Sequence, residues 1–206
     1  MNTIARRGLA MLLAALWIAP PVGALDYPLT SESIREAYFI GKENLDRRQE
    51  FFRAYRHPLP SPFRPDVHRI EVETPFAVAV EALSRTPLEY HSPDAVQDYL
   101  GKPWNVRVHV EIYLTATYPR PTDTPRSLAR FSNTFEVHLR QRDEIAPLGI
   151  DGAPIWDDHT LLGYRGATID VDYDMGKIDA SEPLAVEVAT PDGQRVQTTF
   201  AIQDLR

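Results

Sequence analysis

Asp170-Val171-Asp172-Tyr173-Asp174 places three carboxylates at alternate positions of the chain. On a β-strand they would share one face, about 6.6 Å apart at roughly 3.3 Å per residue. Like charges at that spacing repel, and aspartate is a poor strand former, so the arrangement calls for something to offset it. A Ca²⁺ ion would do so, since it takes about six to eight oxygen ligands from clustered carboxylates. Asp170, Asp172 and Asp174 also fill the first, third and fifth places of an EF-type loop. The match stops there, because Met175 stands where that loop needs glycine and Glu182 falls one residue late. An edge strand or loop whose acids deter sheet-to-sheet aggregation accounts for the same residues. The leading expectation is no cofactor, with Ca²⁺ on these three aspartates as the alternative.

A second constellation lies on two alternating segments. Residues 106–114 set Val106, Val108, Val110, Ile112 and Leu114 against Arg107, His109, Glu111, Tyr113 and Thr115. Residues 131–139 set Phe131, Phe135, Val137 and Leu139 against Thr134, Glu136 and His138. The parity of the two patterns suits antiparallel partners, with Glu111 opposite His138 and His109 nearby. In that pairing His109, Glu111 and His138 could hold Zn²⁺ with an open position, or supply a general base. Cross-strand charge pairing on a wet sheet face explains the same residues without any site. Asp157-Asp158-His159, beside Trp156, forms another polar knot in an expected loop, where a capped turn serves equally well. His57, His68 and His91 each neighbour a proline or a strand end without a visible partner.

Other chemistries are excluded more firmly. The chain has no cysteine, which removes disulfides, thiolate nucleophiles and Cys-zinc sites. Gly-x-Ser-x-Gly, His-Glu-x-x-His, the Walker pattern and the dinucleotide glycine pattern are all absent. The net charge of −7 argues against nucleic acid or anionic lipid as the partner.

The elements that must position these residues follow from periodicity. Residues 30–56 look helical, with Ser33 and Glu36 fitting a capping box. Ile34, Tyr38, Gly41, Leu45, Arg48, Phe52 and Tyr55 form one face, though Gly41 and Arg48 interrupt it. Two helices meeting near Gly41 are as compatible with this as one. The stripe is expected to pack on its own sheet, with docking of another protein as the competing use. Residues 58–65, with four prolines, form a stiff linker.

Val67–Glu73 alternates as a strand. Thr74-Pro75 opens either a short helix or a buried strand over residues 76–85, and Ser92-Pro93-Asp94 opens a second short helix. Residues 145–158 read as loop. Residues 160–164 and 167–173 read as short strands. Pro191-Asp192-Gly193 between two alternating runs predicts a closing hairpin. The fold expected is α+β: an antiparallel β-sandwich or sheet of about six to eight strands, with an N-terminal helical segment and one or two short helices.

Residues 1–24 read as an export signal: Arg6 and Arg7, an apolar run over residues 8–19, then Val22-Gly23-Ala24 for cleavage. The run is too short for a stable bilayer anchor. The organisation expected is a signal peptide (1–24), a helical arm (25–57), a proline-rich linker (58–66) and a β-rich domain (67–206). Residues 34–41 (IREAYFIG), with Glu73-Thr74-Pro75-Phe76-Ala77 and the strand at 106–114, resemble a group of uncharacterised exported bacterial proteins. The resemblance implies export and carries no reaction or ligand.

The functional expectation is an exported, non-catalytic binding or structural module of the cell envelope, periplasmic or secreted. Its expected partner is another envelope protein, with no membrane span left after cleavage. The alternative is a Ca²⁺ or Zn²⁺ protein, or an acid–base hydrolase using the Asp/His cluster.

Overall fold

The computed structural model describes residues 25–59, 67–113, 134–156, 164–191 and 193–206. The expected leader and the Asp157-Asp158-His159 knot lie outside them. Helix α1 (Ser31–Lys42) is capped by Thr30, whose hydroxyl accepts from the Ser33 amide at 3.1 Å. Ser33, expected as the cap, sits inside the first turn and bonds the Thr30 hydroxyl instead. Helix α2 (Leu45–Phe52) starts separately on Asn44, so the N-terminal stripe is two helices parted just beyond Gly41.

The chain then extends as β1 (Arg56–Pro58) and β2 (Val67–Glu73). Thr74 caps α3 (Pro75–Ser84), with proline at the position where a missing N–H is harmless. The Val-Ala-Val-Ala texture there belongs to a helix whose Phe76, Ala77, Ala79, Val80 and Leu83 are buried. Helix α4 (Ser92–Tyr99) follows, with Asp94 accepting from the His91 amide at 2.8 Å.

The remaining elements are strands: β3 (Asn105–Tyr113), β4 (Glu136–Arg140), β5 (Glu144–Ile145), β6 (Pro147–Trp156), β7 (Tyr164–Asp174), β8 (Leu184–Ala189) and β9 (Arg195–Phe200). Among the described residues they form two antiparallel sheets, ordered β1-β2-β3-β7-β6 and β5-β4-β8-β9. One hydrophobic core joins the sheets: Ile70, Val72, Val108, Val110, Ile169 and Val171 pack with Val137, Leu139, Leu184, Val186 and Val188. Tyr173 crosses that core to donate its hydroxyl to the Val137 carbonyl at 2.9 Å. The fold is therefore α+β, with two antiparallel sheets and four helices among the described residues.

A second core forms above the five-stranded sheet, where Ile34 and Ala37 of α1 meet Phe76, Val80 and Leu83 of α3 and Ala95 of α4. The N-terminal helices thus share a core with later helices rather than standing apart as an arm. Among the described residues no helix is long and apolar enough to cross a membrane.

Three strand expectations fail, the smallest being the break foreseen between residues 164 and 167, which β7 runs straight through. The strand at 105–113 does not pair with the one ending at Arg140. Instead β3 lies between β2 and β7, while β4 lies between β5 and β8. Odd–even complementarity does not select a partner, and β7 offers it over nine pairs from Asn105↔Asp174 to Tyr113↔Gly166. The third failure is at residues 145–158, which hold the edge strand β6 instead of a loop. An edge tolerates Pro147 and Pro154, whose missing N–H groups would break an interior ladder.

Gly41 is buried where α1 crosses α3, and a Cβ there would lie 2.8 Å from the Val80 carbonyl oxygen and 3.0 Å from the Ser84 amide. Both obstacles are backbone, so neither yields cheaply. Gly41→Ala is expected to lower unfolding stability by about 1–3 kcal/mol, overriding a helix-propensity gain of about 1 kcal/mol. Thermal and urea unfolding measure this directly. An unchanged midpoint would show that the crossing is looser than described.

Candidate functional site

The strand register brings ionisable residues together on the outer face of the five-stranded sheet. Because Val106, Val108, Val110 and Ile112 turn inward, Arg107, His109 and Glu111 must turn outward. The same alternation sends Asp170 and Asp172 outward from β7 and Arg69, Glu71 and Glu73 outward from β2. Pairing then aligns them in rows across the sheet. One row runs Arg56, Glu71, His109, Asp170, Asp151; the next runs Glu73, Arg107, Asp172, Gly149.

Apart from Glu73 and Asp151, the side chains in these rows are matched by charge. Arg107 grips Asp172 through two contacts, Nε to Oδ1 at 2.9 Å and Nη2 to Oδ2 at 3.3 Å. Its remaining nitrogen, Nη1, reaches Glu81 of α3 at 3.4 Å, and Glu81 also accepts from Arg85. His109 Nδ1 lies 2.6 Å from Asp170 Oδ1. Glu71 receives Arg56 Nε at 2.7 Å, and Arg69 Nε stands equally close without hydrogen-bond geometry. Arg69 also reaches Glu111 at 2.8 Å.

Burial and pairing set the protonation states. Burial pulls His109 down, but the hydrogen bond to Asp170 and the charges of Asp170, Glu73 and Glu71 outweigh it, so the imidazole is held above its ordinary value. Burial pushes Asp170 up, and the His109 bond with the His109 and Arg107 charges reverses this, holding the carboxyl below its ordinary value. Both shifts favour an imidazolium–carboxylate pair. Glu73 behaves differently: burial, reinforced by Glu81 and Glu71 against the pull of His109 and Arg107, pushes it up to about 8.

Of the aspartates singled out by spacing, Asp170, Asp172 and Asp174 do share one face of β7. That strand is interior, not an edge, and not a loop of EF type. The positive charge that Asp170 and Asp172 need is supplied by His109 and Arg107 of β3. Asp174 caps a 3₁₀ turn at Met175–Lys177, accepting from the Gly176 amide at 2.9 Å.

The His109, Glu111 and His138 constellation is not assembled. His138 belongs to β4 and faces outward from the opposite sheet, on the far side of a core about 10 Å thick. Its ring pairs with Glu144 at 2.6 Å and approaches Glu136 at 3.6 Å, while Glu111 faces Arg69 and Thr168. The proposed pairing misplaced it, since the charged faces of two sandwiched sheets point away from each other. Among the described residues, no three His, Asp or Glu side chains converge as metal ligands would.

The other described histidines find ring or backbone roles: His57 lies edge-on to Phe200, His68 rests on Tyr113, and His91 precedes α4.

Glu73, Glu81, Arg85 and Arg107 carry much of this arrangement without having been singled out as candidates. For Glu73 a signal existed. It ends a strand immediately before a Thr-Pro helix start, so the chain doubles back over the face that bears it. Gly149 ends its row without a side chain, leaving a polar groove of about 320 Å³ bordered by Arg85, Arg107, Asp151, Asp170 and Asp172. A carboxylate-held imidazole beside such a groove has the elements of acid–base chemistry, yet both groups are already committed to each other. Comparison with protein-family models and with curated proteins gives no match.

The His109–Asp170 pair has a defined pH window. The raised His109 contributes stability that is complete below its unfolded value and lost as pH rises through the folded one. The depressed Asp170 contributes stability that is complete above its unfolded value and lost on acidification. Imidazole titration by NMR is expected to place His109 above about 6.5 and to bring it down in Asp170→Asn. An identical midpoint in both proteins would contradict the pairing.

Proposed function

We propose that this chain is an exported, non-catalytic binding or structural module of the cell envelope, acting in the periplasm or outside the cell. The observation carrying this reading is that Arg107, His109, Asp170, Asp172 and Glu71 are matched by charge to one another or to neighbours on β1, β2 and α3. Arg107 is divided between Asp172 and Glu81, His109 is joined to Asp170, and Glu71 lies between Arg56 and Arg69. The Arg107–Glu81 contact fastens the helical layer to the sheet and the other pairs fasten strand to strand. The partner class is another envelope protein, a reading supported by the exposed Phe39 and Leu45 of the N-terminal helices. The export signal expected over residues 1–24 supplies the compartment.

One observation favours the catalytic alternative: an imidazole oriented by a carboxylate is the unit a general base uses. Turnover of chromogenic esters or phosphate esters that disappears in His109→Gln would establish that alternative.

The test of the module reading is metal-sensitive. Asp172→Asn is expected to lower the unfolding midpoint in chelator-treated buffer, because it strips Arg107 of a two-contact partner. Elemental analysis is expected to find no stoichiometric metal, and calorimetry no saturable heat with millimolar Ca²⁺ or Zn²⁺. One equivalent of either ion, bound by the parent chain and lost in Asp172→Asn, would overturn the proposal.

A further inference from the structure

Among the described residues of this face, Glu73 is the acid whose burial is not matched by a direct partner. It is 5% exposed, and its Oε2 is shut off from solvent without a hydrogen-bond partner. It stands at the last position of β2, opposite Arg107, directly before the cap of α3. The groups around it come from every neighbouring element. Glu71 lies two residues back on the same face of β2, and Glu81 projects from α3. Arg107 and His109 stand on β3, held by Asp172 and Asp170 of β7, and the Tyr55 phenol approaches from the turn before β1. Arg107 is therefore already occupied by Asp172 and Glu81, and His109 by Asp170.

We propose that Glu73 is a proton-operated latch that holds α3 against the five-stranded sheet when neutral and loosens it when ionised. An ionised Glu73 would be a third carboxylate beside Glu71 and Glu81, in a place nearly closed to solvent. Burying such a charge without a dedicated partner is costly, and the ready relief is to move the covering element away. The element that follows directly on Glu73 and brings Glu81 to it is α3. Because α1 and α4 share their core with α3, loosening it loosens the helical layer as a whole.

The direction of the effect follows from linkage. The folded-state value, about 8, lies above the ordinary glutamate value. Stability from the neutral latch is therefore complete below that ordinary value and is lost as pH rises through about 8.

Hydrogen exchange read on residues 75–84, corrected for intrinsic rates, tests this. The opening constant of α3 is expected to rise roughly tenfold per pH unit between about pH 5 and 8. In Glu73→Gln, which keeps the shape and cannot ionise, that slope is expected to collapse, leaving at most the shallower loss that accompanies His109 deprotonation. The same slope in both proteins, or no slope in the parent chain, would overturn the latch. Should Glu73→Gln fail to fold, ¹³C titration of the Glu73 carboxyl in the parent chain decides the matter. A midpoint near 8 supports the latch, and one near the ordinary glutamate value removes it.

Discussion

The β3–β7 register governs the rest of the molecule. Nine residue pairs from Asn105↔Asp174 to Tyr113↔Gly166 fix two faces at once. Toward the sandwich they stack Val106, Val108 and Val110 beside Tyr173, Val171 and Ile169, the centre of the shared core. Toward the helices they set Arg107 beside Asp172 and His109 beside Asp170. A one-residue slip would turn the charges into the core and the valines into the charge ladder, so neither face could form without the other. The hydrophobic effect supplies most of the driving force for this pairing, and the ion pairs set which register satisfies the opposite face.

Charge compensation also explains why a helical layer can rest on an ionic surface. Helix α3 is apolar on most of its circumference, yet it presents Glu81 toward Arg107, and Arg85 just past its end reaches back to Glu81. The guanidinium of Arg107 therefore belongs to both layers. Partly buried pairs of this kind add modest stability each, and their larger role here is orientation, because a helix sliding along the sheet would leave charges unmatched. Glu73 departs from the pattern by lying where the helix covers it and its cationic neighbours are spoken for.

How much of this was legible in the sequence depends on the range of the interaction. Alternation marked β3 and the hairpin strands β8 and β9 because one face of each is buried and the other wet. The proline-led helix starts at Thr74-Pro75 and Ser92-Pro93 were visible because such starts are local, although the cap of the second helix is His91 and Ser92 already lies inside it. Partner choice was not local: β4 and β7 both complement β3 in parity, and only packing of the whole sandwich separates them. Strand β6 was hidden by Pro147, Gly149, Gly152 and Pro154, residues that an edge position tolerates. At the site, the common face of Asp170, Asp172 and Asp174 was readable from spacing, whereas their cations were not. His138 was drawn into a false cluster by the mistaken pairing, and Glu73 escaped notice because its burial depends on the helix that follows it.

The most direct measurement of the account is a double-mutant cycle on Arg107 and Asp172, using Arg107→Met, Asp172→Asn and their combination in urea unfolding. If β3 supplies the charge that β7 requires, the double variant is expected to lose less stability than the two single losses together, with a coupling of about 1 kcal/mol or more. Strict additivity would contradict it, leaving the alternate aspartates of β7 without the compensating interaction that the outer face requires.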